Sequence, residues 1–180
     1  MAKKRIKRVA MVLCCGGHEA AEKVERSSLT CDCKQAVENY PDGILECAWG
    51  CLGLGSCVAV CRFDAIVIGP RGVPEVDNEK CVGCGLCAKT CPKSLIAMNL
   101  PENTITPRCS IQEGAAAARK VCGASCIACR ICEKNCPADA IHVIDNCAVI
   151  DETKCIACGM CAIKCPRGVI HDANGIFASN

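Results

Sequence analysis

Cysteines set the chemistry available to this 180-residue chain, which carries 23 of them. They recur at fixed intervals: Cys81-x2-Cys84-x2-Cys87-x3-Cys91-Pro92, Cys126-x2-Cys129-x2-Cys132-x3-Cys136-Pro137 and Cys155-x2-Cys158-x2-Cys161-x3-Cys165-Pro166. A fourth run, Cys51-x5-Cys57-x3-Cys61, lacks the middle cysteine, and Arg62 stands where the others have proline. Thiolate sulfur is a soft, strongly donating ligand that suits tetrahedral iron and zinc. Two-residue gaps let three successive thiolates curl around one inorganic core. Small residues in the gaps (Gly83, Gly85, Ala128, Ala157, Gly159) let backbone amides come close to the sulfurs. One such run is compatible with zinc; three complete runs ending in Cys-Pro point to iron–sulfur chemistry.

The runs resemble the cluster-binding loops of bacterial-type ferredoxins, in which three cysteines of a run hold one cubane and the fourth reaches its neighbour. That resemblance implies four ligand sets. Cys81, Cys84 and Cys87 take Cys61; Cys126, Cys129 and Cys132 take Cys165; Cys155, Cys158 and Cys161 take Cys136. The remaining set has Cys51, Cys57 and Cys91, with Leu54 at the expected position of the missing ligand. Cys47, one helical turn before Cys51, is the expected replacement; the alternative is a three-iron cluster that lacks this ligand. Trp49, between them, is expected to shield that first cluster from water. Four [4Fe–4S] clusters use 16 cysteines and leave Cys14, Cys15, Cys31, Cys33, Cys109, Cys122 and Cys147. The close pairs Cys14/Cys15 and Cys31/Cys33 are a candidate fifth metal site. The competing reading is buried thiols, which pack as small hydrophobes. That reading is preferred for Cys109, Cys122 and Cys147. His18, His142 and His171 carry little signal where cysteine is so abundant.

The elements that must position these thiols repeat as well. Cys51 and Cys61 recur 30 residues on at Cys81 and Cys91, and Cys126 and Cys136 recur 29 residues on at Cys155 and Cys165. The halves repeat each other with an offset of 75, which carries Cys47, Cys51, Cys57 and Cys61 to Cys122, Cys126, Cys132 and Cys136. The reading is an α+β chain of two tandem dicluster ferredoxin modules, 44–100 and 122–180, behind a small cysteine-containing extension over 1–43. Short strands are predicted at Ala65–Ile68, Val73–Val76, Leu95–Met98, Ala140–Ile144, Ala148–Ile150 and Val169–His171. Turns fall at Gly69–Gly72 and Asp145-Asn146. The connecting segment, 101–121, is predicted to hold a strand at Thr104–Thr106 and a helix at Glu113–Lys120. The extension should hold a strand at Val9–Leu13 and helices at His18–Arg26 and Cys33–Asn39. Its order of strand, cysteine, helix and cysteine is echoed by Ile105, Cys109, Glu113–Lys120 and Cys122.

Composition narrows the function classes. One Trp, one Tyr and two Phe are too few to build an ordinary core of this size, so clusters must replace much of it and the chain should not fold without iron and sulfide. A disulfide framework would need an export signal. The basic start at Lys3, Lys4, Arg5, Lys7 and Arg8 is followed by only a short apolar run, too brief for a signal or a membrane span. A cytoplasmic location is expected, where thiols stay reduced. The formal net charge is +2. Each oxidised cubane with four thiolates adds about −2, which brings the loaded chain to about −6. Scattered basic residues without aromatic platforms argue against nucleic acid. No Rossmann or P-loop glycine pattern appears, so no flavin or nucleotide site, and no catalytic residue, is expected.

Val9-Ala-Met-Val-Leu-Cys14-Cys-Gly-Gly, Asp32-Cys33-Lys34, Cys47-Ala-Trp-Gly-Cys51-Leu-Gly-Leu-Gly-Ser-Cys57 and Cys122-Gly-Ala-Ser-Cys126-Ile-Ala-Cys129 resemble the polyferredoxin part of the B subunit of the Rnf electron-transport complex, clostridial type. The resemblance covers nearly the whole chain and implies passage of ferredoxin electrons along a row of [4Fe–4S] clusters. The membrane-anchoring helix and the further four-cysteine domain of that family are not found in this sequence. The expected function is therefore an electron-transfer subunit of a larger oxidoreductase, including flavin-based bifurcating ones. Its expected partners are a flavoprotein or another iron–sulfur protein, with ferredoxin as a further one, and it has no catalytic site of its own. The alternatives are a free soluble carrier, a cluster-based redox sensor and a zinc-binding scaffold.

Overall fold

The computed structural model describes residues 7–173; Lys3, Lys4 and Arg5 and the end of the second module lie outside that range. Eight short strands form four separate antiparallel two-stranded ribbons. β1 (Val9–Val12) pairs with β4 (Ile96–Asn99), and β2 (Ile66–Ile68) with β3 (Pro74–Val76). In the second half β5 (Ile105–Pro107) pairs with β8 (Ile170–Asp172), and β6 (Ile141–Ile144) with β7 (Cys147–Ile150). Each half thus draws its closing strand from the segment ahead of it, β1 for the first and β5 for the second. The turns between paired strands follow from local chemistry. Asp145 and Asn146, at φ 47° and 64°, supply the left-handed pair that a tight hairpin requires.

Helices are brief. α1 (Cys33–Asn39) opens on a capping box: Asp32 accepts from the Gln35 amide, and the Gln35 side chain accepts from the Asp32 amide. α2 (Ser56–Ala59), α3 (Leu86–Thr90), α5 (Ile131–Lys134) and α6 (Met160–Ile163) are single turns, each carrying the last of the close-spaced cysteines of a run. α4 (Ala115–Val121) is the alanine-rich helix of the connecting segment.

The helix predicted over His18–Arg26 does not form. Two 3-10 turns, Gly17–Glu19 and Arg26–Ser28, flank an extended stretch. In it Ala20 bridges Cys122 and Glu22 bridges Leu45, while the Ala21 amide bonds Val121 O and Ala21 O accepts from Glu46. These long-range backbone bonds outweigh a weak local helix preference.

The apolar cores follow the repeat. Val9, Val12, Ile66, Val73, Leu95 and Ile96 pack around Cys57, Cys81 and Cys87 in the first half. Ile105, Ile141, Ala148 and Ile170 do the same around Cys132 and Cys161 in the second. The seam between the halves is filled from both sides. Cys15, Ala20, Ile44 and Leu45 meet Cys122 and Ala124 in one group, and Cys47 meets Ile111 and Ala118 in another. Ile111 and Ala118 are fully buried, so the connecting segment is part of the core.

Candidate metal centres

All four cysteine loops share one backbone shape. The second and fourth residues after the first cysteine are left-handed: Gly53 and Gly55, Gly83 and Gly85, Ala128 and Arg130, Ala157 and Gly159. The third residue after the last cysteine of each run is left-handed too: Asp64, Ser94, Asp139 and Gly168. This alternation turns successive amides inward and sets the thiols around a common centre. Glycine suits it without strain, and Ala128, Arg130 and Ala157 adopt it at a cost of about 1–2 kcal/mol each.

Three hollows lie inside these loops. One is lined by Cys126, Cys129, Cys132 and Cys165, another by Cys136, Cys155, Cys158 and Cys161, which is the crossed arrangement expected for those eight cysteines. Cys81, Cys84 and Cys87 interact with one another, and Cys61 packs against the same core as Cys81 and Cys87. The remaining hollow is lined by Cys51, Cys57 and Cys91 together with Cys33.

Cys33, and not the expected Cys47, lines that hollow. Leu54 packs away toward Ala36 and Leu45, and the vacated position is reached by Cys33, the first residue of α1. The capping box orients that residue, and the Cys33 amide donates to Ser56 Oγ at 2.9 Å, tying the helix start to the cluster loop. Cys47 points instead into the seam. Trp49 goes with it, packing against the group of Cys47, Ile111 and Ala118 and not over the first hollow. The set Cys14, Cys15, Cys31 and Cys33 is likewise divided. Cys33 joins the first hollow, Cys14 and Cys15 face Cys109 and Cys122, and Cys31 sits half-buried beside α1.

The residues present fit a cubane. Amides are aimed at sulfur: Ala140 at Cys136 (3.2 Å), Leu95 at Cys91 (3.4 Å) and Ala10 at Cys81 (3.4 Å). Such bonds favour the thiolate and tune a bound cluster. The walls are apolar: Ile105, Ile141 and Ile150 line one hollow, and Val12, Leu95 and Ile96 another. The thiols surround a space without converging on a point. Among the described residues, no three His, Cys, Asp or Glu side chains are placed to hold a single ion. A tetrahedral zinc site would bring its sulfurs within about 4 Å of one another.

Burial pushes the Cys51 thiol up to about 12, with the nearby Cys14 adding to it, and pushes Cys57, Cys132 and Cys161 up to about 11. Cluster binding at these sites therefore expels a proton from each thiol. Cys147 acts in the other direction: lying beside Cys109 and Cys126, it lowers both of their thiols while its own pKa rises, and its thiol donates to Cys109 O at 3.0 Å. His142 contacts Glu133 at 3.3 Å, on the outer face of α5. The exposed His171 lies on β8. None of the three histidines lines a cysteine hollow.

The comparisons with known proteins agree with this chemistry. Residues 47–98 and 80–141 each match a 4Fe-4S dicluster domain, and residues 148–171 match a 4Fe-4S binding domain. The B subunit of the Na(+)-translocating ferredoxin:NAD(+) oxidoreductase complex of Acetobacterium woodii is 45% identical, over 83% of this chain and 44% of its own length. The corresponding B subunit of the proton-translocating ferredoxin:NAD(+) oxidoreductase complex of Clostridium ljungdahlii is 38% identical over 68% of this chain and 48% of its own. The B subunit of an ion-translocating oxidoreductase complex of Methanosarcina acetivorans is 35% identical, with shares of 82% and 56%. The chain spans about half the length of these relatives. Among the described residues no helix is long and apolar enough to cross a membrane. The chain is an iron–sulfur polyferredoxin, built of dicluster ferredoxin domains that bind [4Fe–4S] clusters, and it is similar over most of its length to the B subunits of Rnf-type complexes.

Proposed function

We propose that the chain is an electron relay within a larger oxidoreductase, carrying single low-potential electrons between partners docked at its two ends. The observation that carries this reading is an asymmetry among four equivalent positions. The residue after the first cysteine of each loop is apolar in all four. Leu52 and Ile127, beside the inner loops, are 6% and 8% exposed, whereas Val82 and Ile156, beside the outer loops, are 52% and 65% exposed. The inner collars, Leu52 and Ile127, are covered by the rest of the fold, and the outer ones, Val82 and Ile156, are free to meet a partner. The ligand sets proposed are Cys61/Cys81/Cys84/Cys87, Cys33/Cys51/Cys57/Cys91, Cys126/Cys129/Cys132/Cys165 and Cys136/Cys155/Cys158/Cys161. A bound cubane supplies one-electron chemistry. The protein holds the thiolates, excludes water with its apolar walls and directs amides at sulfur.

The relatives' names suggest ferredoxin as the donor, a nicotinamide-reducing flavoprotein as a further partner, and a position at the periphery of a membrane complex. A one-electron row of this kind cannot itself accept hydride, which needs a two-electron acceptor such as flavin. In the anaerobically purified protein, reduced ferredoxin should bleach the cluster absorbance within the mixing time of a stopped-flow experiment. NADH should leave it unchanged until a flavoprotein is added. Bleaching by NADH alone overturns the relay reading.

A further inference from the structure

We propose that Cys14, Cys47, Cys109 and Cys122 together hold a fifth [4Fe–4S] cluster at the seam between the two halves. The four thiols form two matched pairs under the internal repeat. Val12 sits opposite Ile96 in the first half as Pro107 sits opposite Ile170 in the second. The next amide bonds the equivalent carbonyl in each, Leu13 to Leu95 O and Arg108 to Val169 O, both at 2.8 Å. Cys14 and Cys109 follow directly, at the same place in the repeat. Cys47 and Cys122 match in turn, each four residues ahead of the first cysteine of a loop.

The hydrogen bonds obey the same symmetry. The Cys51 amide donates to Cys14 Sγ at 3.4 Å, and its counterpart, the Cys126 amide, donates to Cys109 Sγ at 3.5 Å. Amides directed at Cys14 and Cys109, one from each half, are what a thiolate–cluster site uses, and merely buried thiols have no need of them.

The four also converge. A methyl group placed on Gly16 would lie 3.0 Å from Cys122 Sγ and 3.7 Å from Cys14 Sγ, so the bare glycine leaves that side of the site open. Cys47 and Cys109 share one buried group, walled by Trp49, Ile111 and Ala118. Cys14, Cys109 and Cys122 all lie near enough to Cys47 for an electrostatic interaction with it.

Two neighbouring thiols are excluded by their own bonds. Cys15 has Ser110 at its matching position, and its thiol donates to Ala124 O at 3.6 Å. Cys147 donates to Cys109 O at 3.0 Å. The amides of Cys51 and Cys126 belong to ligands of the two inner sites, so this cluster would adjoin both of them and join the two halves. The ligand set stands by itself; its place in an electron path rests on the relay reading.

Native mass spectrometry of the full chain, made and sprayed anaerobically, reads the count directly. The wild type should carry five [4Fe–4S] clusters. Cys109→Ala and Cys122→Ala should each carry four, and Cys31→Ala should keep all five. A wild type that carries four after full reconstitution, or alanine variants that keep five, overturns the assignment. If a variant loses every cluster through misfolding, the wild-type count still decides. The count is independent of the NADH experiment, so either proposal can fail without the other.

Discussion

Cys33 is the residue we propose to complete a site that its own loop leaves open. The repeat marks Leu54 as the gap, and Cys47 is the nearest thiol in sequence. In the structure it is the start of α1 that reaches the hollow, because the Asp32–Gln35 capping box and the bond from the Cys33 amide to Ser56 Oγ hold that helix end against the loop. Cys33→Ala should therefore convert the first cluster to a three-iron form, detected by electron paramagnetic resonance of the oxidised protein, with the loss of about one iron atom per chain. Cys47→Ala should leave that cluster intact, and the opposite pattern would restore the sequence-based assignment. The fifteen run cysteines that we propose as ligands are legible because thiolate spacing is local chemistry. Cys33 is not, since a thiol brought in through space leaves no spacing to read. A trace of it was present in Asp32-Cys33-Lys34-Gln35, a helix-start signature with a cysteine at its first position.

At the scale of the element, the cluster loops are defined by their left-handed residues, and two kinds of glycine occur among them. Gly85 and Gly55 need only the backbone angle, for a side chain at either would meet nothing within 4 Å. Gly83 and Gly53 also need the space. A Cβ on Gly83 would fall 2.2 Å from Arg8 O, and one on Gly53 2.6 Å from Gly72 O. Gly85→Ala should cost about 1–2 kcal/mol, the strain of a left-handed alanine. Gly83→Ala should cost distinctly more, because the backbone of Arg8 must move as well. Thermal unfolding of the two loaded variants, compared under strict anaerobiosis, checks the order; equal losses would mean that the close approach to Arg8 is unimportant. The strands were legible to within a residue or two because β-branched runs bounded by Gly, Pro and Asn have a plain pattern. Their partners were not. Nothing in Val9–Val12 says that it pairs with Ile96–Asn99, and the stretch after His18 reads as helix until Val121, Cys122 and Leu45 claim its backbone.

Across the whole molecule, the described residues form no extended sheet and no helix longer than seven residues, and two-stranded ribbons are marginal by themselves. The cores are small apolar groups gathered around sulfur. Removing the iron with a chelator under reducing conditions should therefore abolish most of the far-ultraviolet circular dichroism, as in other small metal-dependent folds. Retention of the native spectrum by the iron-free chain would show that the polypeptide folds alone. The scarcity of aromatic residues leads to the same expectation from the sequence alone. The exposure of Val82 and Ile156 against the burial of Leu52 and Ile127 was not legible, since the four residues occupy identical sequence contexts and differ only in what the rest of the chain covers.

Crossed ligation has a consequence for how such a chain fails. In the ligand sets proposed, each cubane would tie a run to a cysteine far away, Cys33 to Cys91 or Cys126 to Cys165, and so act as a cross-link that closes a long loop. Cross-links of this kind restrict the denatured ensemble as disulfides do. A loaded chain that loosens is still stapled, and it refolds as long as its staples hold. It is lost only when a staple dissolves, and Cys84 and Cys129, the two exposed cysteines, mark where solvent and oxygen reach first. The lifetime of the fold is then set by the corrosion of its most accessible cubes, a rate and not a depth of free energy.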